Sequence, residues 1–209
     1  CSGKFRNLKS NFKKDLSRER KFSHFLDGQY QKYLKLYAFR RTSAIKEQLL
    51  GIDLDFTHKQ TGAVYHVDEK AQLDYLNLNL PTFAFELCYE KDGKQKTGWL
   101  LDSNKKTHFY SLITGIYADE KDKFTACNIT FVNREKLLAY LAKRGLTSNK
   151  MEQLAQSRPN YHGKMQLESL HPRSEGYLFF SRKNKLEKPV NLILKLEFLT
   201  QTGVGKRFV

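Results

Sequence analysis

The sequence predicts an α/β (α+β) domain, and three observations carry that expectation. Helical periodicity appears near the start of the chain and again after its middle, and strict two-residue alternation fills much of the space between. Gly, Pro, Asn and Asp punctuate the alternating stretches at turn positions. A hydrophobic content of 40% over 209 residues is enough for a packed core.

Taken in order, "SHFLDGQYQKYLKLYAF" spaces apolar residues three and four apart, which predicts an amphipathic helix showing Lys32 and Lys35 on its outer face. "TSAIKEQLL" predicts a second helix, with Thr42 or Ser43 as N-cap and Gly51 as terminator. "IDLDF" puts Ile52, Leu54 and Phe56 on one strand face and Asp53 and Asp55 on the other. After the turn-like "THKQTGA", the run "VYHVDEKAQ" alternates again, with His66, Asp68, Lys70 and Gln72 sharing a face. "TFAFELCYE" and "TGWLLD" predict two strands joined by a hairpin containing Asp92-Gly93. "HFYSLITGIYA" and "NITFV" predict further strands. "NREKLLAYLAKRG" predicts a helix capped by Asn133, buried through Leu137, Leu138 and Leu141, and closed by Gly145. Beyond it, Pro159, Gly163, Pro172 and Gly176 predict loops and a short helix, before strands at "GYLFFSR" and "VNLILKLEFL".

The net charge of +15 exceeds what solubility alone favours in a small domain, about 2–8, and points to a phosphate-rich partner. Residues 1–50 hold thirteen lysines and arginines against four acids. Lys13, Lys14, Arg18, Arg20, Lys21, Lys32, Lys35, Arg40 and Arg41 are the candidate nucleic-acid contacts. No apolar run approaches the roughly 18–20 residues of a bilayer span, and the first residues lack a signal-peptide core, so no membrane partner and a cytoplasmic location are expected. Cys1, Cys88 and Cys127 are too scattered for a disulfide framework and lack zinc-ligand spacing, so Cys88 and Cys127 are expected to be buried, reduced thiols. "GVGKRF" lacks the spacing of a phosphate-binding loop.

If the runs on either side of Gln60–Thr61 pair as a hairpin, Asp53 lies opposite Asp68 or Lys70. One face then gathers Asp53, Asp55, Asp68, Lys70 and Gln72. Close carboxylates raise each other's pKa unless a cation neutralises them. Mg²⁺ accepts one or two carboxylates together with waters and phosphate oxygens.

The series Asp53, fourteen residues, Asp68-Glu69-Lys70, then Gln72 resembles the PD-(D/E)XK nuclease superfamily, with Ile52 standing where the pattern has Pro. Thr82, Glu86, Gly98, Trp99, Thr107 and Tyr110 match the layout of its phage- and mobile-element-like branch. The resemblance implies a restriction-endonuclease-like three-layer core, a central mixed sheet flanked by helices. That core would span 43–145, between a basic helical segment at 1–42 and a C-terminal extension at 146–209 packing on it. It further implies an Mg²⁺-dependent nuclease, with Mn²⁺ able to substitute, acting on DNA ahead of RNA in restriction, defence, mobile-element or repair work. A homodimer is compatible with it. Asp53, Asp68 and the Glu69 backbone carbonyl would hold the metal, with Asp55 a rival to Asp53. Lys70 would position the attacking water, Gln72 would hold Lys70 or substrate, and Glu47 would serve a second metal or a water. The Glu69 carboxylate, on the other strand face, would meet a cation. The rivals are a catalytically inert nucleic-acid-binding protein on the same fold and a basic module for an acidic protein.

Overall fold

The computed structural model describes residues 3–183 and 187–209, with side chains from residue 18 onward. A long helix, α1 (Gly3–Tyr33), leads into β1 (Tyr37–Arg41), α2 (Ile45–Leu49), β2 (Leu54–His58) and β3 (Val64–Ala71). A short 3-10 turn (Leu73–Tyr75) precedes β4 (Thr82–Lys91), β5 (Lys94–Thr97), β6 (Phe109–Glu120) and β7 (Lys123–Asn133). Then come α3 (Arg134–Lys143), α4 (Ser148–Gln156), β8 (Gly163–Met165), β9 (Gly176–Phe180), β10 (Val190–Lys195), α5 (Leu196–Gln201) and β11 (Gly205–Arg207).

The strands form two sheets. A six-stranded mixed sheet runs β1-β2-β3-β6-β7-β11, with β3 and β6 parallel and the other pairs antiparallel. A five-stranded antiparallel sheet runs β5-β4-β10-β9-β8. The α+β class is therefore present, and the later strands build a second sheet alongside the mixed one.

Alternation on β6 divides the core. Tyr110 and Leu112 face a cluster with Phe85 and Leu87 of β4, Leu192 and Leu194 of β10, and Leu137 and Leu141 of α3. Ile113 and Ile116 face the other way, into a cluster with Phe22, Leu26 and Tyr30 of α1. A register shift between Thr114 and Tyr117, with Gly115 at φ +52°, lets residues three apart share that face. Phe22, Leu26 and Tyr30 recur every fourth residue, so α1 lays one stripe on the sheet and leaves Arg20, Lys21 and Lys32 exposed.

Three local expectations are corrected. The first helix ends at Tyr33, and Tyr37–Arg41 pairs with β2 as an edge strand, because its backbone groups find partners from Leu54 to His58. "TGWLLD" is a turn: Gly98 rests on the Glu86–Leu87 backbone, where a side chain would collide, and the strand facing β4 is Lys94–Thr97. The last apolar run breaks after Lys195 into α5, which buries Phe198 and Leu199 beneath β11. The expected cap of the second helix also differs: α2 starts after Ala44, which offers no side-chain cap, in place of Thr42 or Ser43, and Cys127 is less buried than expected. The turn and cap expectations elsewhere are met. Asp92 and Gly93 take positive φ in a tight hairpin, Asn133 accepts from the Lys136 N–H, and Gly145 closes α3 at φ +81°. Cys88 is buried and Cys127 half-buried; both are free thiols, and burial pushes the Cys127 thiol up to about 12. Among the described residues, no helix is long and apolar enough to cross a membrane.

Candidate active site

The β2–β3 hairpin places the acids. Leu54 pairs with Val67 and Asp55 with His66, so Asp53 lies opposite Asp68 just before β2 begins. The Asp53 N–H donates to the Val67 carbonyl (2.9 Å), and its own carbonyl accepts from the Thr42 N–H (2.9 Å). Its carboxylate turns back over β3 and accepts from the Glu69 N–H (2.8 Å). Gly51 makes the approach possible. At φ +73°, a Cβ there would strike the Thr107 hydroxyl and come within 3.4 Å of Asp68 Oδ2. Thr107 in turn donates to the Gly51 carbonyl (2.8 Å).

Asp68 is 2% exposed, and the Lys70 ammonium donates to its Oδ1 at 2.6 Å. The same ammonium lies 5.3 Å from the centre of the Trp99 ring, and that ring meets Tyr110 edge-on at 4.8 Å. Burial, and then the charge of Asp68, push the Asp53 carboxyl up to about 7, against the pull of the Glu69 N–H and Lys70. Two acids and one cation thus share a notch that holds a proton near neutral pH.

The surrounding residues divide clearly. The Gln72 amide donates to the Thr82 carbonyl (2.9 Å), tying β3 to the start of β4, and leaves its buried Oε1 without a partner among the described residues. Glu86 on β4 is half-buried, and burial lifts its carboxyl while Lys70 and Lys105 draw it down. Thr82, Glu86, Gly98, Trp99, Thr107 and Tyr110, dispersed in sequence, each touch the notch or the turns that frame it. Glu69 faces the opposite side, where Arg41 and the Tyr30 hydroxyl (2.8 Å) hold its carboxylate.

Other candidates are committed elsewhere. Asp55 is held by Arg40 and by His66 Nδ1 (2.8 Å), which keeps its carboxyl below the usual range. Glu47 accepts from the Thr42 hydroxyl and lies 3.5 Å from Arg40. Of the cationic candidates, Arg18 and Lys21 reach Asp122, and Arg41 bridges Asp27 and Glu69. Arg20, Lys32 and Lys35 are exposed, while the side chains of Lys13 and Lys14 lie outside the described residues. The contacts of Trp99 with Lys70 and of Arg40 with Asp55 depend on tertiary pairing that residue spacing does not carry, whereas His66 stands opposite Asp55 in the hairpin register itself.

A metal would draw on few side chains here. Among the described residues, no group of three or more His, Cys, Asp and Glu converges as a metal site. A hard cation would rely on the Asp53 and Asp68 carboxylates plus main-chain and solvent oxygens, a donor set that Mg²⁺ accepts. The unpartnered Gln72 Oε1 adds a further buried oxygen in need of a donor. The residues present fit such an ion. Comparisons with known protein families, with characterised proteins and with solved structures find no match for this chain.

Proposed function

We propose that the chain is an Mg²⁺-dependent nuclease of the PD-(D/E)XK type, hydrolysing phosphodiester bonds of DNA. The observation that carries this reading is the meeting of Asp53, Asp68 and Lys70: two adjacent carboxylates, one keeping its proton to about 7, with an ammonium 2.6 Å from the other. A purely structural pair would lose its mutual repulsion by substitution to Asn, whereas a cation-binding pair must retain it. The net charge of +15 supplies the long-range attraction for a polyanion.

On this reading Asp53 and Asp68 hold the ion together with the Glu69 carbonyl, and Asp55, tied to Arg40 and His66, stays outside. Bound Mg²⁺, or Mn²⁺ in its place, would neutralise phosphate charge and acidify a coordinated water. Lys70 is steadied by Asp68 and the Trp99 ring, and its ammonium would serve the attacking water and the charge growing on the phosphate. Gln72, anchored on Thr82, keeps its carbonyl oxygen for that water or for Lys70. A three-layer restriction-endonuclease-like arrangement belongs to the same proposal, with α1 on one face of the mixed sheet and the second sheet on the other.

The test is plasmid nicking with Mg²⁺ or Mn²⁺. Cleavage should fall about a hundredfold or more in Asp68→Asn and Lys70→Ala, with circular dichroism verifying the fold. Cleavage unchanged in both variants would overturn the assignment. Wild-type protein that binds DNA but cuts nothing would leave the inert nucleic-acid-binding reading in its place.

A further inference from the structure

On the opposite face of the mixed sheet from Asp68, and at the other end of β3, the structure has a groove of about 760 Å³. It opens where α1 stops at Tyr33, leaving the sheet bare. Tyr37, Phe56, Tyr65, Phe109, Phe131 and Phe208 form its floor and walls. Their rings stand at steep angles to one another: Tyr65 meets Phe109 at 78° and Phe56 meets Phe131 at 84°, so ring faces as well as edges line the space. Tyr33 (38% exposed) and Leu36 (60% exposed) overhang the mouth.

The rim has one sign of charge. Lys35, Lys136, Lys206 and Arg207 border the groove, and among the described residues no acid lines it. Among the described residues, Lys35, Lys136 and Lys206 enter no ion pair, and all three are exposed. An apolar ligand alone would not require four cations, and a bare phosphate would not require an aromatic floor. Both together match a polyanion whose flat bases are unpaired, since bases stack on aromatic rings while basic groups track the backbone. A duplex, with its bases already stacked, cannot use the floor.

We propose that this groove binds single-stranded nucleic acid, with bases against the aromatic wall and phosphates on the rim of Lys35, Lys136, Lys206 and Arg207. The proposal rests on the nucleic-acid reading of the protein but not on catalysis. Tyr65 and Asp68 are three residues apart on β3, about 10 Å, and on opposite faces. The groove is thus a second contact near the notch, suited to an unpaired strand next to the duplex being cut.

The experiment measures anisotropy of labelled single-stranded DNA and RNA oligonucleotides and a matched DNA duplex, without divalent cation, across a salt series. Tyr33→Ala and the double variant Lys35→Glu/Lys206→Glu change exposed side chains and should leave the fold intact. Each should weaken single-strand binding about tenfold. The double variant should also make the log–log salt slope shallower by about 1.4, two phosphates' worth at roughly 0.7 each. Duplex affinity should not change in Tyr33→Ala and should fall less than single-strand affinity in the double variant. Single-strand affinity and slope unchanged in both variants overturn the groove, as does a wild-type dimer that Tyr33→Ala dissociates, which would make the occupant a second copy. A protein that cuts plasmid yet keeps full single-strand affinity in the groove variants loses only the groove. One that never cuts, but loses single-strand affinity in them, loses only the nuclease.

Discussion

At the scale of single residues, Asp53 is where stability and chemistry conflict. Its carboxyl keeps a proton to about 7 in the fold, against an ordinary value of 3.8, so the native state binds a proton the unfolded chain has released. Stability from this group is present in full below about pH 4 and is lost as pH rises toward 7. Asp53→Asn removes that loss. The variant should be more stable than wild type at pH 8 by up to about 4 kcal/mol without divalent cation, and no more stable at pH 4. Urea denaturation at the two pH values measures it; equal stability at pH 8 would mean that burial and the charge of Asp68 do not raise this carboxyl. In the wild type, protons should compete with Mg²⁺ for the pair, so calorimetric affinity should increase as pH rises through 7, with proton release on binding. Much of this residue-scale arrangement was legible. Alternation placed Asp53 against Asp68 or Lys70 and turned Glu69 away because a strand's period is two and the turn around Gly62 limits the register to a few choices, of which the fold takes Asp68. Trp99 over Lys70 was not legible, because that contact joins β3 to a turn after β5, and their meeting depends on the packing of the whole core.

At the scale of elements, junctions decide the site. The α2–β2 connection is held by Gly51 against Thr107, and by Lys105, whose ammonium donates to the Leu49 carbonyl (2.8 Å). Gly51→Ala would force a positive φ on an L residue and press its methyl on the Thr107 hydroxyl, so it should cost about 1–3 kcal/mol. It should also lower cleavage by displacing Asp68, a pairing of effects that a remote destabilising variant would not show. Tyr30, fully buried on α1, donates to Glu69 and meets Ser111 Oγ at 2.9 Å; burial lifts its hydroxyl well above the usual tyrosine range. Tyr30→Phe should cost about 1–3 kcal/mol by leaving those partners short of a donor, measured as a lower urea midpoint at unchanged slope. Element ends were the least legible part. The spacing of Tyr33, Leu34 and Tyr37 fits a helix as well as it fits the end of one, and only the free edge of β2 makes Tyr37–Arg41 a strand. The run after Val190 likewise reads as one apolar strand until α5 folds over β11.

At the scale of the whole molecule, the late part of the chain is interior to the fold. β10 lies between β4 and β9, β11 pairs with β7, and Leu192, Leu194 and Phe198 share a cluster with Phe85 and Tyr110. A sequence read in order treats residues 146–209 as an extension because nothing local shows that β4 lacks a neighbour until Asn191 pairs with Glu86. The two sheets therefore depend on each other, and unfolding should be one cooperative step. Trp99, the sole tryptophan, is a direct probe, because its ring touches Phe85 of one sheet and Tyr110 of the other. Its fluorescence and far-ultraviolet circular dichroism should follow one urea transition with a single midpoint. A chain ending at Gly145 should fail to reach that state, because it would strip β10 from β4 and β11 from β7 and leave their apolar faces and edges open to aggregation. If that shorter chain instead folded and kept its cleavage activity, the second sheet would be an accessory. The notch would then owe its geometry to the mixed sheet and the Gly98–Leu101 turn alone.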